Sequence, residues 1–499
     1  MELQFDQSAC SCLETVLREG RNQELTQEIK LTDGMPDIGR VLAAWGQGIL
    51  RGKEWRGDSI SLSGGMMVWV MYVPEDGSGP KTIEGWIPFQ MKWDLPDGTL
   101  EGEIRVWPAV RFVDARSVSA RKLMIRAGMA VLAEVLAPCE AKIYTPREVP
   151  ADLELLRSRY PMRLPKEAGE KTFQMDEELT MPGSIPQPER LVYYTMQPEV
   201  TDKKVLANKV VFRGNGNLHV LYESEEGQLH SWDFALPFSQ FDELKGSYSS
   251  DAQADMMISP TSLELDLDDE GHMRLKCGLV GQYRIDDMEL LEIVEDAYSP
   301  GRELGLRTEM LELPAVLESR RENVYGEQAI PVEADAIADV RFLPDLPRER
   351  QTERGVEIEA PGLVQLLYYG ENRELQSANA RWEGRQTVEA DAQSRINAVS
   401  QPGPEPQVTQ GNGSMNVKVQ LPMELTTTAI RGIPMVIGLE LGEEKAADPD
   451  RPSLILRRAG DARLWDLAKA SGSTVEAIRR ANGLQEEPAP GQMLLIPVS

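Results

Sequence analysis

Histidine and cysteine, the side chains that many metal sites and nucleophilic centres use, are nearly missing: three histidines and four cysteines in 499 residues. None of His219, His230 and His272 sits in an HExxH arrangement, which excludes a zinc-protease helix. Cys10-Ser11-Cys12 is not a CxxC spacing, and Cys139 and Cys277 stand far from it. Four cysteines in so long a chain form no disulfide framework, and a zinc site needs about four ligands at workable spacing. Reduced thiols, no metal and no cofactor are the expectation. Positive charge is also short: 53 Lys and Arg against 81 Asp and Glu leave a formal net charge of −28. Such a surface repels phosphate and disfavours both duplex nucleic acid and anionic membrane as partners. No apolar run approaches the ~18–20 residues of a membrane-spanning helix. The opening MELQFDQSACSCLETV lacks the basic region and apolar run of a secretory signal, so a cytosolic protein is expected. P-loop, GxSxG and strand-following GxGxxG motifs are absent too, and with them the common catalytic frames. The acidic run Leu265 to Glu270 reads as a solvated strand and turn; it lacks the glycine of an EF-hand loop.

Apolar residues make up 41% of the chain, enough for several globular cores. The sequence then repeats itself. Glu28-Ile29-Lys30-Leu31, Met35-Pro36 and Arg40-Val41 return 150 residues later as Glu178-Leu179-Thr180-Met181, Ile185-Pro186 and Arg190-Leu191. Val70-Met71-Tyr72 returns as Val220-Leu221-Tyr222 at the same shift. A third, more diverged copy opens at Gln328-Ala329-Ile330-Pro331 and ends an apolar run at Tyr368-Tyr369. Alternation in Ile60-Ser61-Leu62-Ser63 and the β-forming run Met66 to Tyr72 predict strands, closed by a turn at Pro74 to Gly77. Val210 to Arg213 and Leu218 to Tyr222 repeat the plan, with Gly214 and Gly216 read as a break between two strands. Short strands with frequent turns favour a sandwich or a barrel. The fold class expected is mainly β: three tandem β-sandwich-like repeats at residues 1–143, 171–297 and 323–442, plus a small βααβ domain at 453–499. The repeats are expected as separate globules joined by linkers at Tyr144 to Glu170 and Tyr298 to Glu322, with Leu153 to Leu156 a short helix. A further linker is read at Glu443 to Pro452.

From Ser453 the character changes. Six Lys and Arg against five Asp and Glu give this stretch a net charge of +1. Leu454-Ile455-Leu456 reads as a strand. Leu464, Leu467 and Ala468 lie on one face of a first helix. Ser473-Thr474-Val475-Glu476 has capping-box spacing for a second, from which Ile478 and Ala481 are expected to face inward. Gly483 suits a helix C′ position, and Leu494-Leu495-Ile496-Pro497 closes as a strand. Gly460-Asp461, Leu464 to Lys469, Ala481 to Leu484 and Pro490-Gly491-Gln492 in this order resemble the LysM module. That resemblance implies a glycan groove between two loops, Gly460 to Leu464 and Leu484 to Gly491. Where the family usually has one Thr or Ser, this chain has Ala462-Arg463. Trp465 is expected in the core. The candidate binding residues are Asp461, Ala462, Arg463, Leu464, Arg479, Arg480, Gly483, Leu484, Pro490 and Gly491. The pairs Arg457-Arg458 and Arg479-Arg480 are the best electrostatic feature for an acidic protein face, with Leu464 and Leu484 as apolar contacts.

The repeats in turn resemble SPOCS-domain proteins of spore-forming Firmicutes. Met35 to Val41, the Val70-Met71-Tyr72 strand, Arg302 to Leu311 and Arg320 to Val324 carry the likeness. It implies a scaffold of spore coat assembly in the mother-cell cytoplasm, at the forespore surface. The implied partner is a coat morphogenetic ATPase like stage IV sporulation protein A. The second reading is binding to peptidoglycan, and the third a wall hydrolase, for which the repeats leave no room.

Overall fold

The computed structural model describes residues 2–353, 355–446, 452–460 and 462–498. It is mainly β, ending in a βααβ module. A first unit holds β1 (Phe5–Lys30), β2 (Ile38–Arg56), β3 (Ser59–Pro74), β4 (Lys81–Asp94), β5 (Glu103–Ser119) and β6 (Lys122–Pro146). Strands β2, β3 and β4 form an antiparallel meander, while β6 pairs with both β1 and β5. A second unit repeats this with β7 (Glu154–Leu179), β8 (Pro188–Leu206), β9 (Lys209–Ser224), β10 (Leu229–Glu243), β11 (Gln253–Leu267) and β12 (Met273–Tyr298): β8-β9-β10 is the meander, and β12 pairs with β7 and β11. The two sheets of unit one share a core, with Leu62, Val68 and Val70 of β3 packed with Leu123, Ile125 and Met129 of β6.

The third unit keeps the order but interrupts two strands. It contains β13 (Arg302–Ile330), β14 (Ala336–Pro344), β15 (Arg348–Thr352), β16 (Gly355–Tyr369), β17 (Leu375–Val388), β18 (Arg395–Ser400), β19 (Gln407–Gln410) and β20 (Met415–Glu444). Strands β14 and β15 pair successive parts of β16, and β18 and β19 successive parts of β20. Pro344 and Pro347 stand at the first break, and Pro402, Pro404 and Pro406 at the second. Proline cannot donate to a ladder, so each strand ends there.

Local features recur with the 150-residue shift. The Tyr72 hydroxyl donates to the Pro36 carbonyl at 3.0 Å, and the Tyr222 hydroxyl to the Pro186 carbonyl at 2.8 Å. The register slips by one residue past Leu42, Val192 and Ala338 at matching places in the three units. Such a bulge re-aims the side chains after it. The expected break at Gly214 is absent, since β9 runs through it. A Cβ there would collide with the Glu199 carbonyl and the Phe238 ring; the glycine allows close approach and ends nothing.

The expected separation into globules is overturned. Residues 154–170 lie in β7 and 302–322 in β13, so most of the two expected linkers is strand, and Glu154 to Leu156 is strand, not helix. One core joins all three units: Leu42, Trp45 and Trp69 pack with Tyr193, Val220 and Phe212 and with Ala338 and Leu367. Trp45 stacks on Tyr193 with centroids 4.3 Å apart and planes 10° from parallel. A second shared core gathers Cys10 and Cys12 of β1, Met162 and Leu164 of β7, and Leu311 and Leu313 of β13.

Polar bonds close the three units into a ring. Between units one and two, Gln282 accepts from the Val106 amide at 3.0 Å and donates to the Val106 carbonyl at 2.9 Å. Between two and three, the Tyr193 hydroxyl donates to Asp339, and His219 lies 3.2 Å from the same carboxylate. Between three and one, the Gln365 amide donates to the Ala44 carbonyl at 3.1 Å, and Arg111 pairs with Asp345 at 2.6 Å.

Candidate functional site

The terminal module comprises β21 (Leu454–Arg458), α1 (Leu464–Ser471), α2 (Val475–Asn482) and β22 (Met493–Pro497). The strands pair antiparallel, with Leu454 opposite Pro497. Leu464, Leu467, Ala468, Ile478, Leu494 and Ile496 form its core. Ala481, expected to face inward, is exposed. Gly472 and Gly483 end the two helices in the left-handed region, at φ 62° and 63°, where a side chain would be strained. The α2 cap is one residue later than the spacing predicts: the Thr474 hydroxyl accepts from the Ala477 amide at 3.1 Å. Ser473 is buried, and its carbonyl accepts from Tyr298.

The two expected groove loops do meet. The Leu464 amide donates to Glu487 Oε2 at 2.8 Å, which sets a carboxylate at the positive end of α1. Ala459 and the second loop exchange backbone bonds, Gly491 N–H to the Ala459 carbonyl and Ala459 N–H to the Gln492 carbonyl. Asn482 fixes α2 to β22 by donating to the Leu495 carbonyl at 2.7 Å and accepting the Leu495 amide at 2.8 Å.

Of the candidate residues, Asp461 lies outside the described residues. Ala462 and Arg463 are exposed, as are Gly483, Pro490 and Gly491, and Leu484 is half-buried. Arg463 pairs with Asp466 at 3.3 Å, which holds its guanidinium above the ordinary value. Leu464 is wholly buried, so it offers no contact to a ligand; the helical face that made it apolar packs inside. Arg480 reaches Glu476 at 3.5 Å, and Arg479 is half-buried on the same helix. No described bond joins this pair to Arg457 and Arg458.

Trp465 is buried and turned toward the ring. Its Nε1 donates to Asp296 Oδ2 at 2.8 Å, and the Lys469 ammonium donates to both oxygens of the same carboxylate at 2.8 and 2.7 Å. The Tyr298 ring meets Trp465 edge-on at 4.8 Å, and its hydroxyl donates to the Ser473 carbonyl at 2.9 Å. Burial pushes the Asp296 carboxyl up, and the bonds from Lys469 and Trp465 outweigh it, holding the group below its usual range. Asp296 and Tyr298 end β12, so the module sits where the end of β12 pairs with the start of β7, beside Leu156. Single-sequence reading missed this seat, because nothing local marks Asp296 among so many acidic residues.

It also missed the outward face of the module's sheet. Leu454, Leu456, Met493 and Leu495 are 51%, 63%, 48% and 38% exposed, and they alternate with the inward Ile455, Leu494 and Ile496. Both faces of these strands are thus apolar, a pattern present in Leu454-Ile455-Leu456 and Met493 to Ile496.

The family model described as SipL, SPOCS domain, matches residues 187–267, from β8 to the end of β11. The LysM domain model matches residues 458–497. No curated protein and no solved structure matches the chain. SPOCS and LysM domains are non-catalytic modules with scaffolding and adaptor roles, here in a sporulation context, and LysM carries a capacity for peptidoglycan. Among the described residues no helix is long and apolar enough to cross a membrane. The βααβ order of the terminus agrees with the LysM match, and in joining a SPOCS-domain match to a LysM-domain match the chain is SipL-like.

Proposed function

We propose that the chain is an adaptor of spore coat assembly that holds a coat morphogenetic ATPase, of the stage IV sporulation protein A kind, at the forespore surface. The first and third units are, on this reading, diverged SPOCS domains, supported by their shared strand order. The ring is the platform and the LysM domain the docking module. One observation carries the reading: the module's helix α1 is engaged by the ring, while its sheet presents four exposed apolar side chains beside Arg457 and Arg458. Apolar surface of that kind, edged by arginine, has the make-up of a protein contact. The contact therefore belongs on Leu456 and its neighbours and not on Leu464. Guanidinium groups at its edge suit carboxylates of the partner.

The LysM match favours glycan as the second reading, and the two separate cleanly. The full chain is passed over immobilised ATPase and, in parallel, over purified peptidoglycan. Retention by the ATPase that Leu456→Asp abolishes supports the adaptor. Retention on peptidoglycan alone, unchanged by Leu456→Asp, would replace it with wall binding. A fluorescent fusion should follow the forespore surface during sporulation.

A further inference from the structure

Counted from the bulges, Trp69, His219 and Gln365 hold the same place in the central strands β3, β9 and β16. All three are buried, and each reaches the next unit round the ring. Trp69 meets Tyr194 edge-on at 5.0 Å, the Gln365 amide donates to the Ala44 carbonyl, and His219 lies against Asp339. At this place two seams are closed by an indole and an amide. The seam between units two and three is closed by a group that titrates near neutral pH. It stands beside a cavity of about 810 Å3 that all three units line, with the exposed Asp233 on its wall.

Both ring nitrogens of His219 face a carboxylate. Nδ1 lies 2.7 Å from Asp233 of β10, and Nε2 lies 3.2 Å from Asp339 Oδ1 of β14. Neither Nε2 nor Asp339 Oδ1 has a hydrogen-bond partner in the protein, so charge and not a directed bond joins the two units here. A neutral imidazole carries one N–H and would turn a lone pair toward one carboxylate; the imidazolium carries two N–H groups. The other groups around the ring are Tyr193 of β8, Arg341 of β14 and Glu405 between β18 and β19. Burial keeps the Tyr193 hydroxyl protonated, a donor to Asp339 throughout. Burial and the neighbouring carboxylates hold Glu405 above its usual range. Burial and Arg341 push His219 down, and Asp339 and Asp233 outweigh them, leaving it above its ordinary value. We infer that protonated His219 locks unit two to unit three and that the ring loosens when the proton leaves, a pH-sensitive joint independent of the adaptor reading. A histidine that holds its proton more tightly in the folded chain contributes fully below about pH 6.5. That contribution is lost as pH rises through the higher, folded value.

The test is nitrogen NMR of the full chain with isotope-labelled histidine, followed from about pH 6 to about pH 9, beside urea unfolding over the same range. His219 should show two protonated ring nitrogens at about pH 7 and titrate above the ordinary histidine value. Asp339→Asn should move that titration to lower pH, a change that a role in packing alone would not produce. The urea midpoint of the wild-type chain should fall as pH rises. His219→Gln, which installs the residue type used at the seam between units three and one, should flatten that fall. Should His219→Gln not fold, the wild-type titration, assigned through His230→Gln and His272→Gln, and its shift in Asp339→Asn decide the matter. A neutral His219 at about pH 7, a titration unmoved by Asp339→Asn, or an equal fall in wild type and His219→Gln would overturn the inference.

Discussion

At the scale of single residues, equivalent positions carry opposite charges. Arg105 and Glu134 face each other across β5 and β6; Asp255 and Arg284, each 150 residues later, face each other across β11 and β12. Arg105 bonds Glu134 at 2.8 Å and crosses to Asp255 at 3.0 Å, joining units one and two in a buried network. Burial raises the Asp255 carboxyl, and Arg105 and Arg284 outweigh it and hold it far below its usual range. Asp255→Ala leaves two buried guanidinium groups short of a partner, so urea unfolding should show a loss of about 3–5 kcal/mol. Asp296 gives the pH dependence. Its depressed value means that its share of module docking is full above the ordinary aspartate range. That share is lost as pH falls through the lower, folded value. Hydrogen exchange in α1 should therefore rise on acidification below about pH 4, and Asp296→Asn should raise it at neutral pH. If α1 protection is indifferent to both, the clamp does not hold the module. No disulfide joins the described cysteines, and Cys12 stands opposite Cys139, a pairing no spacing could reveal. Burial pushes Cys10 up to about 11 and Cys12 and Cys277 to about 12. Alkylation at pH 8 should be slow for these three in the native protein, and fast for all four cysteines once it is unfolded.

At the scale of elements, much was readable and the errors have physical causes. The turn at Pro74 to Gly77 closes with the Gly77 amide bonded to the Pro74 carbonyl at 3.3 Å, and its counterpart joins Gly227 to Ser224 at 2.8 Å. Asp268 secures the turn of the acidic run by accepting amides from Glu270 and His272. The glycines of β9 misled because a glycine that ends a strand and one that admits a neighbouring backbone look alike in sequence. The stretches taken for linkers misled because prolines and charges suit an exposed edge strand as well as a loop. The tyrosine at the end of the central strand is a device shared by units one and two, whereas in unit three Tyr368 donates to Gln376 instead. Tyr72→Phe and Tyr222→Phe should each cost about 0.5–1.5 kcal/mol, and being in different units they should add. A double variant no weaker than either single one would show that the two bonds are not independent. In the LysM domain the helices, the glycine that ends the second of them and the closing strand were legible. The cap moved by one residue because Ser473 is drawn under Tyr298.

At the scale of the whole molecule, the ring makes the units interdependent. Unit two completes its core with Trp45 and Trp69 from unit one and Leu367 from unit three, so residues 154–298 alone should not give a stable monomer. The ring should melt in one cooperative transition by calorimetry; three separated transitions would restore the picture of independent globules. Removing Ser453–Ser499 uncovers little beyond Leu156, Asp296 and Tyr298, and should leave the β circular dichroism intact. The acidic balance, the three-fold recurrence, the strand content and the LysM order were all legible in the chain, because alternation, turn chemistry and capping act between residues close in sequence. The ring, the cavity at its centre and the seat of the LysM domain were not. They depend on which of two apolar strand faces meets another unit, and a face's partner can lie hundreds of residues away. Bulges at Leu42, Val192 and Ala338 re-aim those faces, and charge-reversed pairs such as Arg105 and Asp255 gain meaning only when the units touch. Long-range packing and desolvation set these arrangements, and neither leaves a local period to read.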